Sequence, residues 1–353
     1  MALISKKKPV VSIGSHLRNY LVQNNREVDI GIGYKDLFHY SSSISVNDAQ
    51  GQDTLWETAL YSPSDRPEIH NCLKKIYAQM KAAGDLSVME HLYIDRVDVC
   101  IHGNTKPFRV RVVNRINDLF DYFYVKEADA SRIYGLELEH LLSPNKINYL
   151  VVKNTLIEEH IPGITGSQFI QTYLKDPKIN VMRLAKEFIK FNERCLVQLL
   201  GDMHADNYVV EIIPDFDETY YRLRALDFDQ SCYDGRKAIY MPQYFKENNP
   251  IIEKGLKHLS VELEVQYQKE ERSRIAARIK ATQHQLEQLV KSMSHEPVST
   301  EENVDRLKYE LAELYQDNEF ITARNMGEIL WTSLKMVMLK PIRKQYANLR
   351  ATA

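Results

Sequence analysis

Cysteine is scarce: there are four in 353 residues, Cys72, Cys100, Cys195 and Cys232, and no two stand as a CxxC pair. That scatter argues against a structural zinc site or a dense disulfide framework, and a reducing cytoplasm suits it best. Neither sign of charge dominates, with 46 Lys and Arg against 48 Asp and Glu. No global basic field therefore marks a nucleic-acid binder. Long apolar runs are missing too, and no window approaches the roughly 18 apolar residues that a membrane span needs. The start, MALISKKKPVVSIGSHLRNYL, has a basic cluster, but its apolar run is broken too soon for a signal peptide. Glycine nowhere forms GxxxxGK[ST], and Gly31-Ile32-Gly33 lacks the third glycine of GxGxxG, which argues against a P-loop or Rossmann nucleotide site. Internal repeats are absent.

What is present is enough apolar material, 44% of the chain, to bury a large core. The length exceeds what one core normally serves, so two lobes are expected. Residues 1–90 read as a mixed N-terminal extension with helices near SHLRNYLVQ and in PEIHNCLKKIYAQMKAAG, where Ile69, Cys72, Leu73, Ile76 and Met80 recur at helical spacing and Gly84 is the stop. Residues 91–162 turn to strands: IDRVDVCIHG, the alternating FRVRVV, YFYVKEA and NYLVVKNTLIEEHIPG. One helix interrupts them, SRIYGLELEHLL, with Ser131 as its expected N-cap. Residues 163–353 are largely helical. The expected class is α+β, a β-rich lobe followed by a helical lobe.

The helix INVMRLAKEFIKFNERCLVQLL leads directly into GDMHADNYVV. Asp202, His204 and Asp206 at alternate positions suggest a binuclear metal site, but such a site needs further histidines. Those that follow, His258, His284 and His295, lie in helical segments without ligand-like neighbours. A phosphotransferase loop makes different demands. It needs an Asp to take or orient the proton of the acceptor hydroxyl, and an Asn five residues later to hold magnesium. Asp202 and Asn207 have that spacing. A second magnesium-binding Asp belongs at the end of a β-hairpin, because antiparallel strands return the chain to its starting end. Asp215 follows Asn207 too closely for two strands and a turn. Asp227, after the alternating YYRLRALDF, leaves room for the hairpin and is the expected ligand.

GDMHADNYVV followed by RALDFDQS resembles the Gly-Asp-x-His-x-x-Asn and Asp-Phe-Gly/Asp signatures of the aminoglycoside phosphotransferase and choline kinase group. It also resembles bacterial kinase-like families with the same wording. The resemblance covers roughly residues 95–240. It implies a bilobal protein-kinase-like fold and an ATP-dependent, Mg²⁺-dependent kinase, with Asp202 as catalytic base, Asn207 and Asp227 on magnesium, and His204 steadying the loop. Two positions depart from the pattern: Leu200 stands where a His usually precedes Gly-Asp, and Asp229 stands where Asp-Phe-Gly has its glycine.

The resemblance further implies a strand lysine for the ATP phosphates, matched by Lys126 in YFYVKEA, and a helix glutamate to hold it. Glu137 lies on the apolar face between Ile133 and Leu141, which favours it over Glu139. Glu158, Glu159, His160 and Ile161 occupy the inter-lobe linker whose backbone would meet adenine. The phosphate-covering loop falls on IHGNTKPF, with the single glycine Gly103 and with Asn104 and Lys106 to assist. The expected acceptor is a hydroxyl of a small molecule, with a protein substrate as the rival and a catalytically silent kinase-like module as the second rival. No nucleic-acid or membrane partner is expected. The polar turn PDFDET, with Asp215, Asp217 and Glu218, would suit a cationic substrate only if it lay near the active end.

Overall fold

Periodicity in the sequence becomes two bodies in the computed structural model, which describes residues 8–102, 105–216 and 219–339. The class is mixed α+β, 49% helical and 20% strand. Among the described residues, no helix is long and apolar enough to cross a membrane. One unit comprises residues 18–129 and 147–160, and the other comprises residues up to 17, 130–146 and those from 161 onward.

In chain order the first half contains α1 (Ser15–Gln23), β1 (Ser42–Asn47), β2 (Asp53–Leu60), α2 (Arg66–Lys81), β3 (Leu92–Cys100), β4 (Phe108–Asn114), β5 (Phe120–Glu127), α3 (Ala130–Leu142), β6 (Tyr149–Val152) and β7 (Thr155–Glu159). The strands form one antiparallel sheet in the order β1-β2-β3-β4-β5-β7-β6. In β4 the alternation is plain: Phe108, Val110 and Val112 are buried on one face while Arg109 and Arg111 point to the other. Ile69, Leu73, Ile76 and Met80 of α2 join that apolar face in a single core with Val97, Val99, Phe123, Val125 and Ile157. On the opposite face Asp98, fully buried, is held by Arg109 at 2.8 Å and Arg96 at 3.2 Å.

Residues 1–90 are therefore no separate extension. β1 and β2 continue the sheet, with Trp56 opposite Cys100, and α2 covers it. The helix α3, which lies between strands in sequence, belongs to the helical unit. It begins at Ala130, so Ser131 stands inside it and does not cap it; its hydroxyl instead donates to the carbonyls of Asp229 and Ser231.

The helical unit continues with β8 (Ile164–Thr165), α4 (Gly166–Gln171), α5 (Val181–Gln198), β9 (Tyr208–Pro214), β10 (Thr219–Ala225), α6 (Asn249–Leu256), α7 (Val261–Ala281), α8 (Gln283–His295), α9 (Glu301–Tyr315) and α10 (Met326–Leu339). Asn180 caps α5 by accepting the N–H of Arg183. α5 buries Leu184, Phe188, Cys195 and Leu196, and also the charged Lys190, Glu193 and Arg194. These charges are matched from α7: Arg194 meets Glu271 at 2.9 Å, Arg272 meets Glu193 at 2.5 Å, and Lys190 meets Glu270 at 3.0 Å. A second Arg194 nitrogen donates to the Leu223 carbonyl of β10, which ties the helix before the polar loop to the hairpin after it. The segment RIAARIKATQHQLEQLVKSM carries a continuous apolar stripe in sequence, with Ile275, Ile279, Leu286, Leu289, Val290 and Met293, but forms two helices, α7 and α8, broken at Thr282.

Candidate active site

The polar loop starts where α5 stops. Leu199 takes a left-handed conformation (φ 52°), and the Leu200 N–H returns to the Cys195 carbonyl at 2.8 Å. At Gly201 a side chain has no room: a Cβ would lie 2.7 Å from the Gln230 carbonyl oxygen and 2.8 Å from Ile239 Cγ2. Close packing therefore demands glycine directly before Asp202. Asp202 itself is left-handed (φ 63°), an unfavourable conformation for a residue with a side chain. Its N–H donates to the Ile239 carbonyl at 2.9 Å.

Asn207 closes the loop on Asp202. Its Nδ2 donates to the Asp202 carbonyl at 2.8 Å and reaches the Asp202 carboxylate at 3.5 Å. The amide oxygen of Asn207 takes no hydrogen bond from the described residues. Met203 and Ala205 are buried beneath the loop. His204 Nδ1 accepts the Asp206 N–H at 3.3 Å, and the Asp206 carboxylate accepts the Ser167 hydroxyl. Both residues thus make contacts that brace the loop.

The hairpin then brings Asp227 to the loop. β9 and β10 pair from Tyr208 opposite Ala225 to Pro214 opposite Thr219, and the Leu226 N–H donates to the Asn207 carbonyl at 2.8 Å. Asp227 follows directly. The turn carrying Asp215 lies at the other end of the hairpin, about 20 Å of strand away. Asp217 and Glu218 lie outside the described residues.

These carboxylates are close enough to feel one another. Burial is the first cause that raises the Asp202 carboxyl from its ordinary value to about 6; the charges of Asp227, Asp229 and Glu247 push it further up, and His204 opposes them. An acid in that range is poised to exchange a proton near neutral pH.

Two residues that sequence reasoning missed complete the site. Asn248, fully buried, donates to the carbonyls of Met203 at 3.0 Å and Pro242 at 2.8 Å and accepts the Tyr208 hydroxyl at 2.9 Å. It pins the underside of the loop to the start of β9. Arg132 of α3 contacts Asp227 and Asp229, both at 2.6 Å. No local pattern signals either residue, because the contacts that matter, Arg132 to Asp227 and Asp229 and Asn248 to Met203 and Tyr208, join residues tens of positions apart.

Among the described residues, no group of three or more His, Cys, Asp and Glu side chains is arranged to hold a metal. What the loop and hairpin offer is the Asp227 carboxylate with the Asn207 amide oxygen. A donor set of oxygens alone suits magnesium, which keeps several waters and takes one or two carboxylates together with substrate phosphates.

In the sheet unit Lys126, on β5, pairs with Glu158 of the neighbouring β7 at 2.5 Å, a strand glutamate in place of the helix glutamate Glu137 that the resemblance implied. Glu137 and Glu139 both lie on α3 and both are buried; burial raises the Glu139 carboxyl, against the pull of Arg194. Of the linker residues, Glu159 accepts the Asn148 N–H at 2.7 Å and Lys81 at 3.2 Å, and its own N–H donates to the Asn148 carbonyl. The His160 N–H donates to the Tyr122 carbonyl at 3.2 Å, and burial lowers the pKa of its ring. Ile161 is buried. Gly103 and Asn104 lie outside the described residues, whereas Lys106 is described and left-handed (φ 37°).

No family model matches this chain, and no curated protein matches it.

Proposed function

We propose that this chain is an ATP-dependent phosphotransferase with a bilobal protein-kinase-like fold, resembling the aminoglycoside phosphotransferase and choline kinase group, which moves the γ-phosphoryl group to a hydroxyl of a small molecule. One observation carries the reading. A left-handed, half-buried Asp202, raised to about 6, is hydrogen-bonded to the asparagine five residues on, and a hairpin delivers Asp227 beside them. Phosphoryl transfer asks for this set from one loop and one hairpin. A strand lysine, a helix and a further hairpin in that chain order add support.

In this reading Asp202 accepts hydrogen-bonded contact from the acceptor hydroxyl, orients it in line and takes its proton as the new bond forms. Asn207 and Asp227 would hold magnesium. Bound there, the ion supplies neutralisation of phosphate charge. Lys126, steadied by Glu158, meets the ATP phosphates, and the Glu158–Ile161 backbone flanks adenine. Catalysis rests mainly on positioning and charge neutralisation.

Titration calorimetry with MgATP, followed by ADP assays against a metabolite mixture, tests the proposal. Saturable MgATP binding and acceptor-dependent ADP release are expected. Mass spectrometry of the chain after the same incubation separates the rival: phosphate on the protein itself favours a Ser/Thr kinase. Nucleotide binding without transfer to any acceptor favours a silent module, and failure to bind nucleotide rejects the reading.

A further inference from the structure

Arg132 is 4% exposed, yet its guanidinium fork ends on two partly exposed carboxylates, Asp227 at 36% and Asp229 at 30%. Its Nη2 donates to Asp227 Oδ1 at 2.6 Å and its Nε to Asp229 Oδ1 at 2.6 Å. The Asp229 N–H donates to the same Asp227 Oδ1 at 3.1 Å. Both donors to Asp227 thus fall on one oxygen, and no hydrogen bond from the described residues reaches Oδ2. The neighbouring turn of α3 adds to the hold. The Ser131 hydroxyl donates to the Asp229 carbonyl at 3.0 Å, and Gly135 lies so close to Ser231 that a Cβ would come within 2.0 Å of its hydroxyl. A buried arginine thus holds one oxygen of the Asp227 carboxylate, and the other takes no hydrogen bond from the described residues.

We propose that Arg132 is a positioning residue that fixes Asp227 by Oδ1 and so leaves Oδ2 as the oxygen that meets the divalent cation. The inference rests on the phosphotransferase reading, in which Asp227 is a metal ligand. Partners that orient a ligand from behind govern affinity strongly, and their loss typically weakens metal binding about 10–100-fold. Simple Coulomb repulsion points the opposite way: removing a positive charge near a cation site should tighten binding. The sign of the change therefore decides between an orienting role and a mere counter-charge.

The test is Mn²⁺ binding to the full chain, read by the electron paramagnetic resonance of free Mn²⁺ with and without a non-hydrolysable ATP analogue. Arg132→Gln removes the charge, and Arg132→Lys keeps the charge but not the two-pronged fork. Both are expected to weaken Mn²⁺ binding by about 10–100-fold. Unchanged or tighter binding in Arg132→Gln overturns the proposal. Should that variant fail to fold, wild-type affinity in Arg132→Lys overturns it equally. A purely structural role would lower Tm and leave the affinity of the folded fraction intact, which also counts against the proposal. A wild-type chain that binds no Mn²⁺, like Asp227→Ala, rejects the underlying site reading instead, so the two failures are distinguishable.

Discussion

Lys126 and Arg132 stand close in sequence but belong to different units, and each is a largely buried cation that grips carboxylate. Lys126 finds Glu158 on the strand beside its own, a pair fixed by sheet register. Arg132 reaches Asp227 and Asp229, 95 and 97 positions further along, and thereby fastens a helix to the segment after a hairpin. The first pair joins neighbouring strands of one sheet. The second belongs to a network of Ser131, Arg132, Asp202, Asn207 and Asp227 in which a single change is felt by several groups. Such networks behave non-additively, whereas the coupling of a single pair is read directly by a double-mutant cycle.

The largest effect expected from that difference is at the hairpin. Asp227→Asn should reduce metal-dependent transfer by about 10²–10³-fold, while Asp215→Asn, at the far end of the same hairpin, should leave it within about twofold. Steady-state rates at saturating MgATP check this. Equal losses would mean that the hairpin register does not select between the two Asp-Phe-Asp triplets.

A smaller effect concerns stability. Asp202 carries a raised folded-state pKa of about 6 against an ordinary 3.8. Below about pH 4 the group is protonated folded or unfolded and costs nothing. As pH rises through 4 to 6 the unfolded chain releases this proton more readily, and above about 6 the whole penalty is present. Asp202→Asn should therefore stabilise the protein at pH 7.5 by about 1–2 kcal/mol, allowing for water that still reaches the carboxylate. The gain should fade on acidification and vanish near pH 4, as thermal melts across that range would show. A gain independent of pH would remove the electrostatic explanation.

The smallest effect isolates the sheet pair. A cycle of Lys126→Met and Glu158→Gln, read as Kd for ATP, should give a coupling of about 1 kcal/mol. Additive losses would mean that Glu158 does nothing to hold the lysine for nucleotide.

How far the sequence disclosed this arrangement follows the same division. α2, α5 and β4 are local patterns, and their apolar periodicity specifies them. The edge strand β1 escaped notice because SSISVN is solvated along its length and carries no alternating core face. The break at Thr282 was invisible because the apolar stripe runs on through it. In the site, the five-residue spacing of Asp202 and Asn207 and the hairpin before Asp227 could be read directly. Asn248 and Arg132 could not, since a buried asparagine or arginine is recognisable only by what the fold places against it.

The central claim is that Asp202 serves the acceptor's proton in a site built from Asn207 and Asp227. Its most direct test is single-turnover transfer from γ-labelled ATP by wild type and Asp202→Ala, with MgATP binding measured on the same samples. Retained binding with transfer reduced by about 10²–10⁴-fold is expected; transfer at the wild-type rate in Asp202→Ala would contradict the account.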